Sequence, residues 1–150
     1  MPDRRRALAL LSAVLAAPAI RARAETPVEV WKTPSCGCCA AWVDRMREAG
    51  FAVAARDVTQ GALVGLKTRL GVTPETASCH TALIEGYVVE GHVPPGDVRR
   101  LLAERPDAAG LAVPGMPIGS PGMEMGDRVE PYATLLIGRD GRVSVFATHS

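Results

Sequence analysis

The stretch Val28-Glu29-Val30-Trp31-Lys32-Thr33-Pro34-Ser35-Cys36-Gly37-Cys38-Cys39 decides how the rest of the chain is read. Its first part alternates apolar and polar residues, the period of a half-buried strand. Beyond it, Ala40 to Ala49 places Trp42, Val43 and Met46 on one side and Asp44, Arg45, Arg47 and Glu48 elsewhere. That is the period of an amphipathic helix, and Gly50 stops it. Three of the four cysteines therefore fall where a strand feeds a helix. The unpaired N–H groups and positive dipole end of a helix start favour anions. A thiolate is an anion, and it is the form of cysteine that binds soft metals or attacks disulfides.

Upstream, Arg4-Arg5-Arg6 precedes an apolar run, Ala7 to Ala17, and then Ala22-Arg23-Ala24, a small-x-small pattern. This reads as a secretory signal peptide cleaved after Ala24, with residues 25–150 as one domain. The run is shorter than the roughly 20 residues that cross a bilayer, so no membrane association is expected after cleavage. The whole chain of 150 residues has a formal net charge of +1, but residues 1–24 hold five Arg and one Asp, which leaves −3 for the remainder. Without a basic patch, nucleic acid is not an expected partner. An exported chain meets an oxidising compartment, where cysteines can be plain staples. A bridge within Cys36–Cys39 would close a loop too small to add much chain-entropy stabilisation, which favours chemistry over stapling.

Downstream, Phe51 to Ala55 reads as a second strand. A helix follows, with Leu63, Leu66 and Leu70 at helical spacing and Asp57 or Thr59 as candidate caps. Ala82-Leu83-Ile84 and Tyr87-Val88-Val89 flank Glu85-Gly86 as a hairpin. Pro94 and Pro95 open a helix that carries Val98, Leu101 and Leu102 and ends by Pro106. The order is β-α-β-α-β-β-α, expected to hold a four-stranded mixed sheet in which Val28–Lys32 and Phe51–Ala55 are parallel neighbours joined by a right-handed crossover. Gly110 to Gly126 holds five glycines, three prolines and three methionines and has neither period, so it is expected to be a long functional loop. Ala133–Ile137 and Val143–Phe146 form a terminal hairpin around Gly138-Arg139-Asp140-Gly141.

This order, with cysteines at the first strand-to-helix turn, resembles the thioredoxin and glutaredoxin group, and Cys36 and Cys39 form a C-x-x-C. In that group the loop before the third strand usually carries a cis-proline. Here Ser78-Cys79-His80-Thr81 stands in that place, a departure that favours metal binding over disulfide exchange. The set Cys36-Gly37-Cys38-Cys39, Ser78-Cys79-His80-Thr81-Ala82, Glu90-Gly91-His92-Val93-Pro94 and Gly115 to Glu124 resembles the exported, thioredoxin-like CopG-type proteins of bacterial copper resistance. The resemblance covers about residues 28–147. It implies a three-layer α/β thioredoxin-like fold, a periplasmic location, copper bound through clustered cysteines, and copper redox chemistry as one proposal.

The residues carry their own argument for copper. Soft thiolates and thioethers select Cu(I), while zinc also accepts four thiolates. Cys36, Cys38, Cys39 and Cys79 supply four sulfurs. C-x-C-C is too tight for an ordinary mononuclear zinc knuckle, and adjacent thiolates suit bridging between several Cu(I) ions. Met116 and Met123 are candidate thioether ligands, with a packed lid as the alternative; Met125 is a weaker candidate. His80 is expected to bind or to orient a ligand. His92 lies near the same end, with a structural hydrogen bond equally open. Met46 is assigned to the core, Trp31 and Trp42 to the core beside the site, Tyr132 to a place under the methionine loop, and His149 to solvent. The expected function is a periplasmic copper-resistance protein that binds Cu(I), with a multinuclear site considered, for sequestration or copper redox; copper ions and other periplasmic copper-handling proteins are the expected partners. The alternative is a thiol–disulfide oxidoreductase with Cys36 as nucleophile and Cys39 as resolving thiol.

Overall fold

The structure is a computed structural model that describes residues 25–150, so the signal peptide expected over residues 1–24 lies outside the described residues. The elements are β1 (Thr26–Lys32), α1 (Gly37–Glu48), β2 (Phe51–Asp57), α2 (Gln60–Arg69), β3 (Thr81–Ile84), β4 (Tyr87–Gly91), α3 (Pro95–Glu104), β5 (Ala108–Val113), β6 (Tyr132–Gly138) and β7 (Val143–His149). They build one mixed sheet in the order β2-β1-β3-β4-β5-β6-β7. The expected parallel pair is present, with Val28 opposite Val53 and Trp31 opposite Arg56. The β3–β4 hairpin turns at Glu85 and Gly86, whose φ values of 47° and 87° give the twist that a tight two-residue hairpin requires. Thr59 is the cap of α2, accepting from the Ala62 N–H at 3.2 Å.

The sheet has seven strands rather than four, because a strand lies where a loop was expected and joins the two strands of the terminal hairpin to the sheet. β5 reads Ala-Ala-Gly-Leu-Ala-Val, and its small residues carry little β-propensity. It is a central strand, parallel to β4 and antiparallel to β6. A β-carbon at Gly110 would lie 1.8 Å from the Val88 carbonyl oxygen, so the neighbouring backbone itself selects glycine. The irregular segment is therefore residues 114–131, and the terminal hairpin, extended to Tyr132–Gly138 and Val143–His149, continues the same sheet.

The core contains Val28, Val30, Trp42, Val43, Met46, Val89, Val93, Leu101, Leu111 and Val113. Trp42 is fully buried and donates its Nε1–H to the Val93 carbonyl at 2.9 Å, which ties the first turns of α1 to the end of β4. Truncating such a tryptophan typically costs about 3–5 kcal/mol. One core and one solvent assignment need correction. Trp31 is only half-buried, since it sits on β1 one position out of phase with buried Val28 and Val30. His149 is not a solvated terminal residue: its Nε2 meets Asp97 at 2.9 Å and Thr134 at 3.1 Å, and its ring stacks on Tyr132. Pairing of β7 with β6 brings it there, with Tyr132 directly opposite.

Candidate metal centre

Cys36 is the N-cap of α1, so Cys38 and Cys39 lie in the helix's first turn, as the spacing predicts. Cys36 and Cys39 are joined as a disulfide, and Cys38 and Cys79 are free thiols. The loop before β3 faces this turn. Cys38 Sγ lies 3.6 Å from Cys36 Sγ and 3.9 Å from Cys79 Sγ. All four sulfurs are within 4.8 Å of one another. Burial, followed by the nearby Cys38, pushes the Cys79 thiol up to about 12. Without a metal it therefore holds its proton and makes a poor nucleophile.

A second group shares Cys79. The sulfur of Cys79, a ring nitrogen of His80 and one of His92 also lie within 4.8 Å of each other. Cys79 Sγ is 3.4 Å from His80 Nδ1 and 3.1 Å from His92 Nε2. His92 Nδ1 is 2.8 Å from the Pro121 carbonyl. A carbonyl only accepts, so Nδ1 donates and Nε2 keeps its lone pair toward the thiol. His80 is fully buried, lies 4.6 Å from the Trp42 ring and, among the described residues, leaves its Nε2 without a hydrogen-bond partner. Burial lowers the basicity of both imidazoles, and at His80 the neighbouring His92 and Lys67 add to it. Both rings are thus neutral at neutral pH, the form that offers a lone pair to a metal.

The Gly/Pro/Met segment closes on this end of the domain. Met116 Sδ stands 3.9 Å from Cys38 Sγ while the residue is 51% exposed, so it reaches the thiols without serving as buried packing. At Gly122, φ is +87° and a β-carbon would come 2.7 Å from Trp42 N and 2.8 Å from the Cys38 carbonyl; only glycine lets the segment rest on α1. Arg45 holds Glu124 at 2.9 Å, and Ser78 donates to the Gly115 carbonyl. Met123 does not join the thiols as Met116 does. Its N–H and carbonyl close a turn with Ser120 and Gly119. Tyr132 meets His149 rather than the methionines.

Sequence reading missed a buried ion pair beneath the loop. Lys67 on α2 meets Glu90 on β4. Glu90 also accepts from Thr81 at 2.7 Å and from the Ser78 N–H at 2.7 Å, which fixes the backbone next to Cys79. Burial raises the Glu90 carboxyl, and the adjacent ammonium of Lys67 opposes the shift. The signal was one acidic residue in an otherwise apolar strand, in register with Thr81.

Fold and side chains together define a thioredoxin-like α/β protein whose first helix opens on a group of sulfur and imidazole donors. Two solved structures match it. Copper resistance protein CopG, form 2, is 43% identical with a TM-score of 0.78, the match covering 84% of this chain and 99% of that chain. Form 1 is 43% identical with a TM-score of 0.78, covering 83% and 98%. The chain belongs to the CopG family of copper resistance proteins. A family model described as a protein of unknown function, DUF411, matches residues 76–123, which hold Cys79, His80, His92, Met116 and Met123. No match was found among curated proteins.

Proposed function

We propose that the protein binds Cu(I) in the periplasm as part of copper resistance, through Cys36, Cys38, Cys39 and Cys79 with support from Met116 and His80. The observation that carries this reading is the convergence within 4.8 Å of four sulfurs, three from the start of α1 and one from the loop before β3. Soft sulfur donors prefer Cu(I), and thiolates this close can each bridge two ions, so a multinuclear cluster suits the group once Cys36–Cys39 is reduced. Met116 adds a donor that cannot be lost to a disulfide. Cys36, Cys38 and Cys79 are only half-buried, which leaves a path for handing copper to other exported copper-handling proteins. The periplasmic assignment rests on the signal-like sequence of residues 1–24.

Anaerobically purified, reduced protein should carry more than one copper per chain, with sulfur-dominated X-ray absorption at the copper edge. A copper-free protein, or an oxygen-dominated spectrum, would overturn the reading.

One observation favours thiol–disulfide exchange instead: the Cys36–Cys39 disulfide spans a C-x-x-C at a helix start. That reading requires rapid turnover of a disulfide substrate by metal-free protein. Against it stands Cys79, a protonated thiol where a redox enzyme presents proline to its substrate. A copper redox activity would use the same thiols, and the absorption edge would report the oxidation state.

A further inference from the structure

Two sulfurs stand at matching distances from Cys38 Sγ: Cys79 Sγ at 3.9 Å and Met116 Sδ at 3.9 Å. They come from different segments, the loop before β3 and the segment 114–131. The residues just before them are tied to each other. Ser78 Oγ donates to the Gly115 carbonyl, and the Gly115 N–H donates to the Ala77 carbonyl at 3.1 Å. Ser78 is held in turn from the sheet, where its N–H donates to Glu90 Oε1 at 2.7 Å. We infer that Glu90, neutralised by Lys67, is a positioning residue for the metal site, acting through Ser78 to set Cys79 and Met116 together against Cys38. The inference rests on the copper reading for its purpose and adds a pair of residues that bind no metal themselves.

Burial makes Glu90 a fixed point. It is fully buried on β4, and its two oxygens meet Lys67, the Thr81 hydroxyl at 2.7 Å and the Ser78 N–H. Lys67 also donates to the Thr81 hydroxyl at 2.9 Å. A carboxylate held by α2 and β3 does not follow the loop, so the loop follows it. A backbone N–H on a carboxylate makes a charge-assisted bond, roughly twice as strong as a neutral one. The next residue, Gly91, has φ +72°, and a β-carbon there would lie 2.4 Å from Ser78 Cβ and Oγ and 2.6 Å from the Val113 carbonyl oxygen. Only glycine admits Ser78 this close to the strand.

Stability alone does not account for the pair. Well-packed apolar residues in place of a buried ion pair are often neutral or stabilising. What apolar residues cannot supply is an acceptor for the Ser78 N–H. Cys79 follows Ser78 and Met116 follows Gly115, so slack in the Ser78–Gly115 tie reaches both sulfurs. Cys36, Cys38 and Cys39 do not depend on it, because the start of α1 places them. Partners that orient ligands from outside the site typically govern about 10–100-fold in metal affinity.

Two double variants separate the acceptor from the charge pair. Lys67→Met/Glu90→Gln removes both charges but keeps a carboxamide oxygen for the Ser78 N–H and an amide donor for Thr81. Lys67→Met/Glu90→Leu removes the charges and the acceptor together. Cu(I) affinity is read by chelator competition on reduced protein, with urea unfolding of the metal-free forms as the check on folding. The Gln variant should bind Cu(I) as wild type does, and the Leu variant at least about tenfold more weakly. Ser78→Ala, which breaks only the side-chain tie to Gly115, should weaken Cu(I) binding in the wild-type background and much less in Met116→Leu. Amide exchange of the metal-free protein reads the same coupling without copper: the Gly115 N–H should exchange severalfold faster in the Leu variant than in the Gln variant. Equal Cu(I) affinities for the two double variants overturn the inference, as does equal Gly115 exchange or an undiminished effect of Ser78→Ala in Met116→Leu. Where the Leu variant does not fold, the Ser78→Ala comparison decides. Wild type that takes up no Cu(I) would sink the copper reading, and the exchange result would stand apart from it.

Discussion

At the C-terminal hairpin, His149 is held by Asp97 and Thr134 and stacked on Tyr132. At the head of α1, His80 and His92 are more deeply buried, yet His80 Nε2 has no partner among the described residues, and the group around Cys79 is rich in donors. The first arrangement is closed: His149 Nε2, Asp97 Oδ2 and Thr134 Oγ1 satisfy one another, and the cluster ties α3 to β6 and β7. The second is open, with neutral imidazole lone pairs beside the protonated Cys79 thiol. Satisfaction of buried polar groups, more than residue type, separates a structural histidine from a functional one.

The strongest way to break this comparison is to change one residue in each region. Cys79→Ser should abolish high-affinity Cu(I) binding in a chelator competition, because Cys79 belongs to both donor groups. His149→Ala should leave Cu(I) affinity unchanged and lower stability by about 1–2 kcal/mol through lost hydrogen bonds. A loss of copper affinity in His149→Ala would make the two ends one system.

Next in size is the ion pair beneath the Cys79 loop. Lys67→Met leaves the buried Glu90 carboxylate unpaired, and breaking such a pair typically costs about 3–5 kcal/mol. The double change Lys67→Met/Glu90→Leu should recover much of this in urea unfolding. If the single variant is as stable as wild type, the pair does not hold the loop.

The pH dependence sharpens the contrast from another side. His80 and His92 are shifted below their ordinary value, mainly by burial. The unfolded chain takes up protons near the usual histidine pKa of about 6.5 while the folded site resists them. Their contribution is therefore fully present above that pH and is lost as pH falls through it toward the folded values. Metal-free protein should become less stable between pH 7.5 and 5.5, and the slope should flatten in His92→Asn. Glu90, shifted upward by burial, acts in the opposite sense and reduces the net slope. An identical slope in His92→Asn would remove the histidine explanation.

The smallest expected effect is Met116→Leu/Met123→Leu. The swap keeps size and apolarity, so apo stability should change by less than about 1.5 kcal/mol. Cu(I) affinity should fall through Met116, whose sulfur is 3.9 Å from Cys38, while the single variant Met123→Leu should change affinity less. Equal Cu(I) affinities for wild type and the double variant would return Met116 to a packing role.

Much of this was legible in the sequence because local patterns carried it. The alternation of Val28 to Lys32, the apolar face of α1 and the Glu85-Gly86 turn each fix structure within a few residues, and the cysteine turn follows. β5 was not legible: its Gly110 is chosen by the Val88 backbone, a partner about twenty positions away in sequence, and its alanines carry little β-propensity. The same holds for His92 and Lys67. Their importance comes from the register of β3 with β4 and from α2 lying beside them, and neither is a property of the residues alone. Met116 and Met123 look equivalent in sequence, and only the path of the backbone sets one sulfur beside the thiols.

The segment 114–131 is clasped at several points: Gly115 to Ala77 and Ser78, Pro121 to His92, Gly122 on the first turns of α1, and Glu124 to Arg45. What this sets is time. On the proposed copper reading, the clasp would slow release past the half-buried thiols, so residence would follow how often these contacts open as well as how strongly sulfur holds the metal. Gly122→Ala would push the segment off Trp42 and Cys38 with every ligand kept. Its signature would be faster copper transfer to a chelator in stopped flow, with the chemistry of the donors unchanged.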